Sequence, residues 1–201
     1  VKFDTPANAS SVVDVYNPRP IFPDLSGITF RGGSNIVNRS KIYEPGHYNK
    51  LEPDWTVSIG NPIQLRAGEY FFNDINILAQ RGVRIIPDLN GDFTTVINIR
   101  NTLKLGSHSK ITTSTPDGHG KVLILYRGNT KISLVSNSSI VGALIAPNAL
   151  IEFNNAAKLI GQALARTIRM IGFNGGDGLE FIPFNPAAVK LAGAASFVLN
   201  E

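Results

Sequence analysis

Asp117 and His119 are the two side chains of this sequence that come closest to a catalytic arrangement. They lie two residues apart in "STPDGHG", Ser114–Gly120. A carboxylate and an imidazole could share acid–base work, but glycoside cleavage needs two carboxyl groups at the scissile bond, and no Asp-Asp pair stands beside them. A Gly-rich stretch between two predicted strands is also the usual composition of a turn. We therefore expect a turn here and no enzyme activity, with Asp117 and His119 as the only catalytic candidates.

The sequence also lacks the patterns of a metal or cofactor site. Cysteine is absent, and the three histidines, His47, His108 and His119, are far apart along the chain. The acidic residues do not follow the Asp-x-Asp-x-Asp-Gly spacing of a calcium loop. The glycine-rich stretch at Arg31–Asn35 has no following Lys-Ser/Thr, as a phosphate loop would require. We expect neither a metal nor a cofactor.

Aromatic side chains are candidates for carbohydrate binding, because an exposed Trp or Tyr ring can stack on a sugar ring. The candidates are Tyr48, Trp55 and Tyr70, all in the N-terminal half of the chain. Tyr48 and Tyr70 each follow a Gly-x dipeptide, and the competing interpretation is that their rings fill the core or pack at its edge. The sequence leaves both interpretations open.

Basic side chains are the other candidates for ligand binding. The chain carries a net charge of +4, and residues 81–131 hold eight basic residues against three acids. Nucleic-acid binders usually gather their charge in one stripe, whereas here it is scattered, so we expect no nucleic-acid partner. Lys104 and Arg127 are our candidates for contact with an acidic polysaccharide. The competing interpretation is a solvated surface that keeps the protein soluble.

A repeat in the second half of the chain predicts how these residues are positioned. Four residues recur 19 positions later: Ile132, Leu134, Ile140 and Gly142 return as Ile151, Phe153, Leu159 and Gly161. A further copy begins at Ile168, 17 positions after Ile151. A period of this length, with Gly, Asn and Ser between alternating stretches, is typical of one rung of a β-solenoid.

The alternation within the repeat predicts which side chains point inward. Two apolar positions would stack in the core, one reading Ile75, Leu103, Ile132, Ile151 and Ile168, the other Ile77, Leu105, Leu134, Phe153 and Met170. The position between them would face solvent and reads Asn76, Lys104, Ser133, Glu152 and Arg169. Apolar and polar positions that alternate at every level indicate parallel strands with one buried side.

These patterns predict an all-β fold, a single-domain right-handed parallel β-helix over residues 1–201. Residues 1–43 would wrap the N-terminal edge, 44–181 would form the rungs, and 182–201 would cap the C-terminal end. In the cap, Asn185 and Pro186 are suited to begin a short helix.

Two features of the predicted rungs are less regular. Near the N-terminus, "EPGHYNKL" and "RAGEYFFNDI" align when Gly46 is matched with Gly68 and Tyr48 with Tyr70. Further on, the apolar stretch "IVGALIAPNALIEF", Ile140–Phe153, is broken by Pro-Asn, so we predict strand, corner and strand rather than a helix. The stretch is also too short to span a membrane, and we expect no membrane insertion.

Two segments carry a resemblance to a known family. They are "PIQLRAGEYFFNDINILAQRGVRIIP" and "KVLILYRGNTKISLVSNSSIVGALIAPNALIEFNNAAKLIGQALARTIRMIG". They resemble the β-helical domain of bacterial choice-of-anchor A surface proteins and of exported pilus-associated proteins of the MshQ-like and PilX-like kind. The resemblance covers about Gly46–Phe181, with "GALIAPNA" at Gly142–Ala149 as its most specific piece. The chain departs from the family near "GGDGLEF", Gly175–Phe181, where a His-Tyr-Asp is usual.

The resemblance implies export and a surface or appendage role, and it transfers no catalytic residue. We therefore predict a non-enzymatic extracellular or cell-surface domain that acts as a rigid structural stalk or adhesin. Its expected partners are cell-surface or appendage proteins and an acidic polysaccharide. No secretion signal stands at Val1, so we expect that any signal peptide has been removed or is not part of this sequence. The alternative is a polysaccharide-binding or polysaccharide-cleaving β-helix that uses the loop at residues 114–120.

Overall fold

The computed structural model describes residues 24–31, 33–86, 95–115, 121–171 and 178–181. Within them the protein is all-β, and thirteen strands join in one sheet. The strands are β1 (Ile36–Val37), β2 (Ile42–Tyr43), β3 (Gly46–Leu51), β4 (Ile63–Arg66), β5 (Glu69–Ile77), β6 (Gly82–Ile86), β7 (Thr95–Leu105), β8 (Lys110–Thr113), β9 (Val122–Tyr126), β10 (Ile132–Val135), β11 (Ser139–Asn154), β12 (Lys158–Ile171) and β13 (Gly178–Phe181). Every pairing between them is parallel.

The chain runs round three faces, and strand β11 shows this most directly. Along its length β11 pairs first with β8, then with β9 and finally with β10. We name these faces C, B and A in that order along the chain. Each circuit of C, B and A is a rung, and the rungs are residues 42–51, 63–77, 82–105, 110–135, 139–154 and 158–171. The described strands therefore form a solenoid-like stack of parallel rungs.

The strand register confirms the two predicted core columns within rungs two and three and within rungs four to six. On face A, Ile75 pairs with Leu103, and Ile132 pairs with Ile151. The full set of column pairs is Ile75–Leu103, Ile77–Leu105, Ile132–Ile151–Ile168 and Leu134–Phe153–Met170. All of these side chains belong to one apolar cluster, or pack against it, between the three faces. The sequence alternation thus identified the interior of face A.

The polar column between them needs one correction, at Glu152. Asn76 pairs with Lys104, and Ser133 pairs with Glu152, as the alternation predicts. Glu152, however, is only 7% exposed, and its carboxylate lies 2.8 Å from the Lys131 ammonium group. The prediction that this position faces solvent at every level is therefore wrong at Glu152, where a neighbouring cation compensates the buried charge.

The predicted alignment of the first rungs is also wrong. Gly46 pairs with Tyr70 rather than with Gly68, and Tyr48 pairs with Phe72 rather than with Tyr70. The error is two residues, which leaves every side chain on the same side of its strand because the strand period is two. The two-residue shift therefore changes the pairing partners but not the side of the sheet on which each side chain lies.

Glycines make the corner between faces C and B in the last two rungs. Gly142 and Gly161 pair in register, with φ angles of 114° and 147° that favour glycine over other residues. A Cβ atom on Gly161 would lie 2.6 Å from the carbonyl carbon of Gly142 and closer still to its oxygen. The rungs therefore stack at this corner only because neither position has a side chain.

The N-terminal segment Asp24–Arg31 runs along the outside of face B. Leu25 is buried in a second apolar cluster, and Ile28 packs against it. The other buried members of this cluster are Val96, Leu123, Leu125 and Ala143. Phe30 packs edge-on against Phe71 of the same face. We call this segment the strap.

Parallel pairing begins at Ile36, inside the segment that was predicted to wrap the N-terminal edge. Two other predictions lie outside the described residues. These are the loop residues 116–120, which include Asp117 and His119, and the capping helix of residues 182–201.

Candidate functional site

A groove of about 670 Å³ follows the corner at which face B turns into face A. Four consecutive rungs contribute to it. Its lining residues are Arg100, Asn101, Thr102, Arg127, Gly128, Asn129, Thr130, Asn148 and Arg166. Three arginines and three asparagines dominate this set, and the described lining contains no carboxylate. We call it the arginine groove.

An irregularity in β7 places Arg100 and Asn101 in the groove. Phe72 pairs with Ile99 and Asp74 pairs with Thr102, so that Arg100 and Asn101 together lie opposite the single residue between Phe72 and Asp74. An extra residue of this kind bends the strand and turns side chains out of the ladder. Both side chains are accordingly exposed, whereas the flanking Ile99 is fully buried.

Tyr126 in rung four is bonded to the β7 bulge of rung three. Its ring is fully buried, and its hydroxyl donates a hydrogen bond of 2.8 Å to the backbone carbonyl of Asn101. The same hydroxyl lies within hydrogen-bonding distance of Thr130. A Cβ atom on Gly128 would come within 2.5 Å of the Asn101 carbonyl oxygen, so the chain passes close over Tyr126 only because Gly128 has no side chain. This packing holds Arg127 at the groove wall.

The far end of the groove is formed by the Pro-Asn corner. In rung five Ala146 pairs with Ala165 and Leu150 pairs with Thr167. Residues 147–149 therefore lie opposite Arg166 alone, and Asn148 and Arg166 are both exposed at the corner. The corner was predicted from the sequence, but it lies within one continuous strand, β11, rather than between two. Rung six has one residue at this corner where rung five has three. This difference of two residues explains why the repeat shortens from 19 to 17 residues.

The strap borders the groove at Arg127. The guanidinium Nη1 of Arg127 donates to the backbone carbonyl of Ile28 at 3.3 Å, and the arginine is half-buried. The carboxylate of Asp24 lies in the same neighbourhood. Hydrogen bonds from Ser26 lower the pKa of Asp24, and the positive charge of Arg127 adds a smaller lowering. One of the three groove arginines is thus already oriented by the protein itself.

The electrostatics of the groove are those of an anion site. Its three guanidinium groups carry fixed positive charge, because arginine stays protonated in proteins. Asp74 of the preceding rung pairs with Thr102, and Asp24 approaches Arg127 from the strap, but neither is part of the lining. The described lining therefore presents three positive charges and no negative one to an anionic ligand.

Of the five predicted binding residues, Arg127 alone lines the arginine groove. Lys104 is exposed on face A, two residues beyond Thr102. Trp55 is 84% exposed, but it belongs to the segment between β3 and β4, at a different corner. Tyr48 is half-buried, and its hydroxyl donates to the Glu44 carbonyl at 2.7 Å.

Tyr70 requires a correction, because its ring is fully buried. Its hydroxyl donates to the backbone carbonyls of Tyr43 and Arg66 at 2.8 and 2.9 Å. The ring stacks between neighbours in the core. A sugar ring cannot reach it, so the competing core interpretation holds at this residue.

Sequence reasoning missed Arg100, Arg166 and the three groove asparagines as site residues. In the sequence, Arg100 is one of the scattered basic residues of positions 81–131, and Asn148 stands in the Pro-Asn corner. One feature of the sequence could have identified them, because the position at which face B ends is polar in successive rungs. The rungs differ in length, so these positions do not recur at a fixed interval along the chain.

The buried tyrosines should make the protein less stable in alkaline solution. Burial raises the pKa of Tyr70 and Tyr126 above the ordinary value of 10.0. The folded chain then keeps phenol protons that the unfolded chain releases. The protonated tyrosines therefore contribute fully to the free energy of unfolding below about pH 10. This contribution should be lost as the pH rises above about 10. Denaturant midpoints measured between about pH 8 and about pH 11 should show the fall.

The matched variant is Tyr70→Phe, which removes one of these protons. It should be less stable than the parent at neutral pH, because two backbone carbonyls lose a donor, and its midpoint should fall less steeply above about pH 10. An equal alkaline slope in the parent and the variant would contradict the assignment.

The part of the chain that the structure describes has no group of three His, Cys, Asp or Glu residues that could hold a metal ion. The described residues also include no helix long and apolar enough to cross a membrane. Comparison with models of known protein families finds none that matches the chain. Comparisons with curated proteins and with solved structures find no significant match either.

Proposed function

We propose that this protein is a non-enzymatic extracellular surface domain, a right-handed β-helix that serves as a rigid stalk and adheres to anionic surfaces through the arginine groove. The observation that carries the proposal is the collection of Arg100, Arg127 and Arg166 in one groove whose described lining has no carboxylate. Such a groove can hold an anion by charge and hydrogen bonds. The residues described in its lining include no pair of carboxyl groups for cleaving a glycosidic bond.

The stalk part of the proposal is supported by the continuity of the ladder. Parallel pairing joins the rungs from Ile36 to Phe181, and each rung adds apolar side chains to the same interior. A stack of this kind is hard to bend, because bending would open strand pairing on one face. The right-handed sense follows from the strong preference of parallel crossover connections for that hand.

The surface location is supported by the resemblance of Gly142–Ala149, "GALIAPNA", to exported choice-of-anchor A domains. Cell-surface or appendage proteins would then be the anchoring partners. Adhesion to a polysaccharide is favoured over passive scaffolding by the groove, which is the feature that a stalk alone would not need. The groove also replaces the loop at residues 114–120 as the place where we expect binding.

Binding to a generic polyanion tests this proposal. The purified protein should adsorb to immobilised dextran sulfate and not to uncharged dextran. The affinity should fall as salt is raised, because exposed charges are screened over about 8 Å at physiological ionic strength. Replacing Arg100, Arg127 and Arg166 together with alanine should lower the affinity about 10-fold to 100-fold, at about 0.5–1 kcal/mol for each exposed contact.

The matched control removes the same charge elsewhere. Lys41, Lys158 and Arg169 are exposed and lie outside the groove lining, so their triple alanine variant should bind nearly as well as the parent. Equal losses in the two triple variants would show that binding depends on net charge and not on the groove. Absence of any adsorption at low salt would contradict the adhesive function, and release of reducing ends from an acidic polysaccharide would contradict the non-enzymatic one.

A further inference from the structure

The arginine groove has an orientation that restricts its ligand. Its lining residues come from four consecutive rungs, and parallel strands lie about 4.8 Å apart. The groove therefore runs along the solenoid axis, across the strands. Arg100 and Arg127 belong to adjacent rungs, whereas Arg166 lies two rungs beyond Arg127. The backbone positions of the three arginines thus span about three strand spacings along the axis, or roughly 14 Å.

A line of separated cations suits an extended polymer better than a small anion. Arg100, Asn101, Asn129, Asn148 and Arg166 are exposed, so the groove is open to solvent along its length. A single small anion could contact one arginine, or two at most, and would leave the rest of the groove unused. A chain with charges at intervals could contact all three in turn.

The asparagines indicate which neutral groups the ligand carries beside its charges. Asn101 and Asn129 belong to the same rungs as Arg100 and Arg127, and Asn148 belongs to the rung between those of Arg127 and Arg166. Each carboxamide offers both donors and an acceptor. The carboxamide oxygen can accept a hydrogen bond only from a ligand that carries donors, such as the hydroxyl groups of a sugar. A polyphosphate or a sulfate-saturated polymer would leave these acceptors without partners.

The arginines restrict the charged group of the ligand to an oxyanion. A guanidinium group pairs with a carboxylate or a phosphate through two parallel hydrogen bonds, a geometry that lysine cannot supply, and the asparagine acceptors favour the carboxylate of a hydroxylated sugar over a phosphate. Single-stranded nucleic acids are bound mainly by stacking on aromatic rings, and the described lining contains no aromatic side chain. Carboxylates with hydroxyls between them are the repeating chemistry of a polyuronate.

We propose that the arginine groove binds a linear polyuronate, laid along the solenoid axis, with carboxylates on Arg100, Arg127 and Arg166 and sugar hydroxyls on the neighbouring asparagine amides. This inference rests on the adhesive function proposed above and names its ligand class. The strap takes part in it, because the bond from Arg127 to the Ile28 carbonyl holds one guanidinium group in place before the ligand arrives.

Titration calorimetry with galacturonate oligomers of increasing length tests the proposal. Affinity should rise with each added unit and level off once the oligomer spans all three arginines. Methyl-esterified oligomers of the same length should bind at least about tenfold more weakly, because esterification removes the charge of the carboxylate. An affinity that is the same for the monomer and the longer oligomers would overturn the axial arrangement.

Asparagine variants separate the polyuronate from other polyanions. Asn129→Ala with Asn148→Ala should lower affinity for the oligomers about threefold to tenfold and leave affinity for dextran sulfate and for polyphosphate unchanged. Both side chains are exposed, so the double variant should unfold at the parent's temperature, which confirms that it is intact.

The outcomes distinguish this inference from the proposed function. Groove-dependent binding of dextran sulfate with no preference for the polyuronate would overturn the ligand class and leave the adhesive function standing. Equal or tighter binding of single-stranded DNA or polyphosphate would likewise overturn it. If no polyanion bound at all, both proposals would fail.

Discussion

Gly161→Ala is expected to destabilise the protein by about 2–6 kcal/mol, from about 1–3 kcal/mol for backbone strain and a similar cost for overpacking. Gly161 has a φ of 147°, where a Cβ atom is unfavourable. The added methyl group would also collide with the backbone of Gly142 in the rung beneath. Backbone cannot move aside without opening the strand pairing on both sides of the corner. The free energy of unfolding in urea, compared with that of the parent, measures the effect.

Gly27→Ala is the matched control for this change. Gly27 lies in the strap, and a Cβ atom there would have no neighbour within 4 Å. The control variant should unfold within about 0.5 kcal/mol of the parent. If Gly161→Ala were as mild as the control, the close stacking of the two glycine corners would be incorrect.

Phe153→Ala is expected to cost about 3–5 kcal/mol, the usual range for deleting a buried aromatic side chain. Phe153 is 2% exposed and lies in register between Leu134 and Met170. The cavity cannot be filled by a neighbouring side chain, because the rungs above and below are fixed by their own strand pairing. Chemical denaturation monitored by far-UV circular dichroism would report the loss.

Trp55→Ala serves as the comparison, since it removes a larger aromatic ring from a position that is 84% exposed. We expect its free energy of unfolding to stay within about 0.5 kcal/mol of the parent value. The same variant should bind dextran sulfate like the parent, because Trp55 does not line the groove. A large loss of stability in Trp55→Ala, or a small one in Phe153→Ala, would contradict the assigned core.

The interior of the solenoid could be predicted from the sequence because strand alternation is a local property. In the repeat, an isoleucine is followed by a polar residue and then by a second apolar residue, as at Ile132, Ile151 and Ile168. This alternation specifies one buried side of the strand wherever it recurs. The same locality explains the register error at Gly46 and Tyr70. A shift of two residues preserves every inward and outward position, so the pattern cannot detect it.

The burial of the Glu152 carboxylate could not be predicted from strand alternation. Glu152 occupies an outward position in the alternation and yet is shielded from solvent, next to Lys131. Exposure of an outward side chain depends on the length of its neighbours in adjacent rungs, and those neighbours are distant in sequence. Tyr70 differs from Glu152 in that its core role was one of two interpretations that the sequence allowed, and burial decided between them.

What the sequence determined by itself is the repeated parallel β architecture and the apolar columns inside it, because both follow from a two-residue period and from recurrence along the chain. Only the tertiary structure decided the arginine groove. Arg100, Arg127 and Arg166 are separated by unequal stretches of chain, since the rungs that carry them differ in length. All three lie at the corner between faces B and A, where no alternation applies. A bulge in β7 places Arg100, the bond to the Ile28 carbonyl orients Arg127, and the Pro-Asn bend in β11 lies opposite Arg166. Stacking of the rungs converts these unrelated positions into one line of charge.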